Sequence, residues 1–189
     1  MLRSCLALVL LAAAATGAQA QGCLTTVLPN DGGTSGNARA PIANFRFART
    51  AYLIKPSEMA AAPGFPSGSQ PLSIAWTYTT APGVAATAPL TIYMQNTSDV
   101  TYTKGTAWST VISGMTPVHS ASTTIPNVAG TFEITLTGGS PFTYTGGGLC
   151  IAFDWGNYTG TLGTAVISCN STGLAGGLAG AQSNVSAPT

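Results

Sequence analysis

The chain has 189 residues, of which 45% are hydrophobic and only 6% are charged, and its formal net charge is +1. An average domain carries about 25% charged residues, and disordered chains combine low hydrophobicity with high charge, so this composition argues against disorder. The small net charge argues against nucleic acid or an anionic membrane surface as the partner, because both require an excess of basic residues.

The first twenty residues have the three parts of a secretory signal peptide. Arg3 supplies a positive charge, residues 6–15 form an apolar run, and residues 18–20 form an Ala-Gln-Ala cleavage motif. The apolar run is too short to span a bilayer, so the sequence predicts a secreted or cell-surface chain that starts at Gln21 and does not span a membrane. A lipoprotein anchored at Cys23 is a weaker alternative, since Gln21 fits a lipobox poorly.

Alternation of apolar and polar residues is the main structural pattern of the mature chain. The clearest alternating runs are 72–78, 90–94, 132–136 and 149–155, and further strand candidates are 43–47, 50–54, 107–112 and 166–169. Turns rich in Gly and Pro separate the runs, and no run has helical periodicity. The sequence therefore predicts an all-β fold, a two-sheet antiparallel β-sandwich of jelly-roll or immunoglobulin-like type, that follows a helical signal peptide.

The predicted domain organisation has three parts. Residues 1–20 are the signal peptide, and residues 21–172 are the β-sandwich. Residues 173–189 are rich in Gly, Ala and Ser and have little apolar surface to bury. That composition predicts a flexible tail or linker.

Three cysteines remain after signal cleavage, in an oxidising compartment that favours disulfides. A turn at 158–161 lies midway between Cys150 and Cys169. A hairpin about this turn would bring their Cα atoms within the roughly 7 Å that a disulfide allows. The sequence predicts a Cys150–Cys169 bridge, with Cys23–Cys169 and three buried thiols as alternatives. No cysteine pair has zinc-site spacing and His119 is the only histidine, so no metal site is expected.

A series of short motifs occurs between residues 46 and 155. They are RTAYLI at 49–54, IAW at 74–76, LTIYM at 90–94, FEITL at 132–136, PFTYTGG at 141–147 and LCI at 149–151. This series resembles a β-sandwich module of large secreted or cell-surface proteins of the Bacteroidota, which often carry fibronectin-like repeats and a C-terminal sorting domain. The resemblance implies a non-catalytic module of the cell surface, and it implies no site residues.

No pattern in the chain matches a catalytic motif or a cofactor motif. His119 is the only candidate base for a serine nucleophile, and the chain has no Gly-x-Ser-x-Gly sequence. Glu133 and Asp154 are both at outward positions of predicted strands, where neighbouring strands would bring them together as a glycosidase pair. Solvated acids on a strand face are the preferred interpretation. The sequence predicts no enzyme and no cofactor, with a small secreted hydrolase that uses carboxylates as an alternative.

Aromatic side chains near loops and strand edges are the candidate ligand contacts. Trp108, Tyr102 and Tyr158 have such positions, and core packing is the alternative for each. Arg49 is predicted to pair with Glu58 and to fix the first strand to the loop after it. A structural or adhesive surface module is the favoured function, and a carbohydrate-binding module is the alternative, with glycans or other surface proteins as partners.

Overall fold

The computed structural model describes residues 32–35, 40–62, 64–169 and 177–189. The predicted signal peptide, its cleavage site and Cys23 lie outside these residues. In the described ranges no helix is long and apolar enough to cross a membrane.

The described residues form nine strands and two short helices. The elements are β1 (Gly33–Ser35), β2 (Phe47–Ile54), α1 (Pro56–Ala61), β3 (Ser73–Thr80), β4 (Ala86–Thr97), α2 (Trp108–Val111), β5 (Thr116–Ile125), β6 (Gly130–Thr135), β7 (Gly148–Trp155), β8 (Val166–Cys169) and β9 (Leu178–Ser183).

The strands form two sheets in which every neighbouring pair is antiparallel. One sheet has the order β1-β8-β3-β6 and the other has the order β5-β4-β7-β2-β9. The prediction of an all-β, two-sheet antiparallel sandwich is therefore confirmed.

The core lies between the two sheets, and the alternating runs supply it. Trp155, Phe153 and Ile92 are fully buried, and Ile134 and Ile167 from the other sheet are at most 4% exposed. Burying an aliphatic or aromatic side chain of this size contributes about 2 kcal/mol, so the inward faces hold the sheets together.

A second, smaller apolar cluster covers the outer face of the five-stranded sheet. It contains Ala51 and Leu53 of β2, Cys150 and Ala152 of β7, and Val111 of α2. The sequence predicted a strand over 107–112, but residues 108–111 form α2. This helix packs against the sheet through Val111, whose side chain is 2% exposed.

The predicted hairpin between β7 and β8 is wrong. β7 pairs with β2 and β4 in the five-stranded sheet, whereas β8 pairs with β1 and β3 in the other sheet. The segment between them carries the chain from one layer to the other. Cys150 is a free thiol buried in the outer cluster, so the bridge predicted to join it to Cys169 is not formed.

The predicted flexible tail is also corrected. Residues 178–183 form β9, the edge strand of the five-stranded sheet, with register pairs from Phe47↔Ser183 to Tyr52↔Leu178. An edge strand is held by main-chain hydrogen bonds to one neighbour, so a segment of small residues with little to bury can still join a sheet.

Candidate functional site

A pocket of about 350 Å³ lies on the outer face of the five-stranded sheet. Arg49 and Ala51 of β2 and Ala181 of β9 contribute to its floor, and Trp108 at the start of α2 and Pro188 contribute to its walls. We call this the Arg49 pocket. Apart from Arg49, the strand residues that line the pocket are alanine and glycine, whose small side chains leave space above the sheet.

The central interaction of the Arg49 pocket is an ion pair between adjacent strands. The Nε and Nη2 atoms of Arg49 both donate to Oδ2 of Asp154, at 3.0 and 2.9 Å, and Nη1 donates to the carbonyl oxygen of Pro188. Arg49 and Asp154 are directly opposite in the register of β2 and β7. The two side chains are 21% and 23% exposed, so the pair is partly screened from solvent.

The predicted Arg49–Glu58 pair is therefore wrong. Glu58 accepts the backbone N–H of Lys55 at 2.7 Å and stabilises the first turn of α1. Arg49 lies five residues before the end of β2, and α1 begins beyond that end. A strand advances about 3.4 Å per residue, so about 17 Å of strand lies between Arg49 and the end of β2. A cross-strand carboxylate is nearer than one beyond the end of the same strand.

Trp108 lies over the Arg49 guanidinium. The Arg49 Cζ atom is 5.1 Å from the centroid of the indole ring, and the Tyr93 ring meets the indole edge-on at 6.0 Å. Such a cation–π contact contributes about 0.5–1 kcal/mol at exposed sites and more when it is desolvated. The indole is half-buried. The position of Trp108 is compatible with a structural role and with contact to a ligand.

The other two aromatic candidates differ in position. Tyr102 packs against the outer cluster, as Trp108 does, and burial raises the pKa of its phenol. Tyr158 is a core residue, 5% exposed, which donates to the carbonyl of Thr161 at 2.8 Å and packs against Trp155. The expectation that Tyr158 contacts a ligand is wrong because the chain after β7 turns it into the interior.

The two acids considered for hydrolysis are not brought together. Glu133 lies on the exposed face of β6 opposite Ala75, in the four-stranded sheet. Asp154 lies on the outer face of the five-stranded sheet and pairs with Arg49. Since the two outer faces point away from each other, this pair cannot flank one substrate bond. Within the described ranges no three His, Cys, Asp or Glu side chains lie close enough to hold a metal ion.

His119 is buried on β5 and acts as a structural acceptor. Its side chain is 3% exposed, Nδ1 accepts the backbone N–H of Thr137 at 3.2 Å, and Nε2 is 2.9 Å from Oγ1 of Thr123. An Nδ1 atom that accepts a hydrogen bond carries no proton, so this geometry requires the neutral imidazole. Burial also lowers the pKa of His119, which favours the same neutral form.

We expect the free energy of unfolding to decrease when the pH falls below about 6.5, the pKa of His in an unfolded chain. The folded state has the lower pKa, so the unfolded state takes up the proton first and is favoured as the pH falls. Urea unfolding between pH 5 and 8 measures this slope. His119→Gln should remove the slope between pH 5 and 6.5, and equal slopes in both proteins would contradict the assignment.

Sequence reasoning selected Trp108, Tyr102 and Arg49, which the structure places on one outer face. It missed Asp154 as the partner of Arg49, and it missed the contribution of β9 to the pocket. The alternation in β7 showed that Asp154 points outward, but only the register with β2 shows which residue it faces.

Comparisons with family models, with curated proteins and with solved structures gave no match for this chain. The structure therefore classifies this protein by its architecture alone. It is an all-β two-sheet sandwich with an ion-paired pocket on one outer face.

Proposed function

We propose that this protein is an exported, non-catalytic β-sandwich module with a structural or adhesive role on or outside the cell. The observation that carries the proposal is the outer surface of β3 and β6, which we call the threonine face. Its cross-strand pairs are Ser73↔Thr135, Ala75↔Glu133 and Thr77↔Thr131. A surface with many hydroxyl groups and few charges offers hydrogen bonds to a neighbour without electrostatic repulsion.

The contacts of the acidic side chains support a role without catalysis. Glu58 caps α1, Asp99 accepts a hydrogen bond from Oγ1 of Thr103 at 2.9 Å, and Asp154 binds Arg49. These three carboxylates already have structural partners. Glu133 stands on the opposite sheet from Asp154, away from the Arg49 pocket.

Bead aggregation tests the adhesive role. Beads coated with residues 21–189 should aggregate at low salt, and a Thr77→Lys variant should disperse them by adding charge to the threonine face. Thr87→Lys is the matched control, since Thr87 is an exposed threonine on the other sheet that also has a cross-strand threonine partner. Beads that stay dispersed, or two lysine variants that behave alike, would contradict adhesion through this face.

Export has a separate test. Protein recovered from the culture medium or cell surface should begin at Gln21 on N-terminal sequencing. Retention of Met1 in a cytosolic fraction would contradict the proposal, and a lipid-modified Cys23 at the N-terminus would replace signal cleavage at Ala20 with lipid anchoring.

A carbohydrate-binding module is the second candidate, and the Arg49 pocket favours it. Sugar sites combine an aromatic ring with a few fixed polar groups in a concave surface. Trp108 supplies the ring, and the Arg49–Asp154 pair supplies fixed polar groups beside it.

A glycan array with the mature chain tests this second function. Trp108→Ala should abolish binding while circular dichroism shows a retained sandwich, and Tyr102→Phe should leave binding unchanged. A hit that survives Trp108→Ala would show that the pocket is not the site, and an array without hits would favour the structural role.

A further inference from the structure

The two sheets of the described residues end in four edge strands, and three of these are protected against pairing with another chain. β1 has only three residues, and β6 carries the exposed charge of Glu133. β5 is covered by the segment 137–140, whose backbone forms hydrogen bonds with Ser120 and Pro117. Short strands, charged residues and covering segments are the means by which proteins keep sheet edges from pairing with other chains.

The fourth edge strand, β9, has none of these protections. It is six residues long, pairs with β2 without a register shift, and contains neither a charged residue nor a proline. The chain after β9 turns back towards β2. The Oδ1 atom of Asn184 accepts the N–H of Arg46, and the carbonyl of Pro188 accepts Nη1 of Arg49. These contacts direct the segment away from the free edge of β9.

The register shows which main-chain groups of β9 face the free edge. The N–H of Leu53 donates to the carbonyl of Gly177 at 2.9 Å, and hydrogen-bonded pairs alternate with non-bonded pairs along an antiparallel ladder. Every second residue of β9 from Ala179 onward therefore bonds β2. The residues between them direct their N–H and carbonyl groups away from β2, and they are Leu178, Gly180 and Gln182. In the described part of the chain no backbone group bonds these outward groups.

We propose that two copies of this protein form a dimer in which their β9 strands pair antiparallel across a two-fold axis. A two-fold interface requires a surface that is complementary to itself. With Gly180 opposite the partner's Gly180, Leu178 lies opposite the partner's Gln182, and each outward N–H meets an outward carbonyl. The pairing joins the two five-stranded sheets into one continuous antiparallel sheet.

Small side chains and the absence of net charge permit this approach. Ala179 would lie opposite the partner's Ala181 on the outer face, and Gly180 has no side chain. Arg49, which is opposite Ala181 in the register of β2 and β9, is already paired with Asp154, so two copies meet without strong repulsion. The threonine face lies on the other sheet, so this dimer is a second contact beyond the adhesive one proposed above.

Sedimentation velocity of residues 21–189 tests the dimer. The protein should show a reversible monomer–dimer equilibrium that shifts with concentration. Gln182→Pro should raise the dissociation constant by about tenfold or more, because it removes an outward N–H from both copies and leaves the N–H groups that bond β2 intact. Circular dichroism of the variant should match that of the parent. A parent chain that stays monomeric up to its solubility limit, or a folded Gln182→Pro variant that dimerises equally well, would overturn the proposal.

Charge at Ala179 gives a second test that leaves the backbone unchanged. In the dimer this residue lies diagonally across from the partner's Ala179, within reach of long side chains. Ala179→Lys and Ala179→Glu should each weaken the dimer, and an equimolar mixture of the two should recover it by pairing opposite charges. Ser122→Lys, at an exposed position of β5 on the opposite edge of the same sheet, is the control and should dimerise like the parent. A mixture that does not recover the dimer, or an equal loss in Ser122→Lys, would contradict pairing through β9.

Amide hydrogen exchange, followed by nuclear magnetic resonance, locates the interface. The N–H of Gly180 faces the free edge, so it should exchange rapidly in the monomer and slowly at concentrations where the dimer is populated. The N–H of Ala181 bonds β2 in both states and should be protected in both. A dimer in which Gly180 still exchanges rapidly uses another surface, and this result would overturn the proposal.

Discussion

Ile134→Asp should leave the mature chain unable to fold. Ile134 is 4% exposed, pairs with Ile74 across β3 and β6, and faces the core between the sheets. The substitution removes about 2 kcal/mol of apolar burial and places a carboxylate, or its protonated form, in a site with no partner, at a cost of several kcal/mol more. A domain is stable by only about 5–15 kcal/mol, so the loss is comparable to the total.

Thr135→Asp is the matched control, because the next residue of β6 points to solvent. We expect Ile134→Asp to be insoluble or to lack a cooperative unfolding transition, while Thr135→Asp should be soluble and fold. Solubility and near-ultraviolet circular dichroism measure the difference. Equal behaviour of the two proteins would show that the inward and outward faces of β6 are assigned wrongly.

Gly138→Ala should destabilise the protein by more than about 3 kcal/mol, a value in the upper range for single substitutions. Gly138 has φ +71°, and a Cβ atom there would lie 2.3 Å from the backbone oxygen of Ser120. The segment crosses edge strand β5 at this point, where the N–H of Ser120 donates to the carbonyl of Thr137 at 2.9 Å. Because the clash is with backbone, one of the two segments must move, and this hydrogen bond is lost with the close approach.

Gly105→Ala separates the clash from the backbone conformation. Gly105 has φ +75°, nearly the same as Gly138, but a Cβ atom there would meet nothing within 4 Å. Its cost should be only the left-handed strain of alanine, about 1–2 kcal/mol. Urea unfolding of the two variants gives both values. Similar losses in both would show that β5 and the crossing segment are not packed as closely as the structure indicates.

The crossing segment also explains the environment of His119. The same backbone that passes Ser120 brings the N–H of Thr137 to Nδ1 of His119, so a histidine on an edge strand becomes buried. The sequence did not predict this burial. The burial depends on a segment eighteen residues later in the chain.

Many of the strands could be predicted from the sequence, because the alternation that identifies a strand is a local pattern. Side chains alternate between the two faces of a strand, so an alternating run identifies the inward residues without knowledge of the neighbouring strand. Ile134 and Trp155 were placed inward in this way, and both are buried. Turns rich in Gly and Pro likewise indicated where the strands end. Sheets that have one apolar face pack in two layers with those faces inward.

Strand pairing was decided only by the tertiary structure. Arg49 and Asp154 are 105 residues apart in sequence and meet because β2 and β7 are neighbours, a choice that neither strand encodes alone. The same reason accounts for the wrong hairpin at Cys150 and for the tail that became β9, whose small side chains give no apolar pattern. Local periodicity specifies which face is buried, whereas partner and register depend on how all the faces pack together.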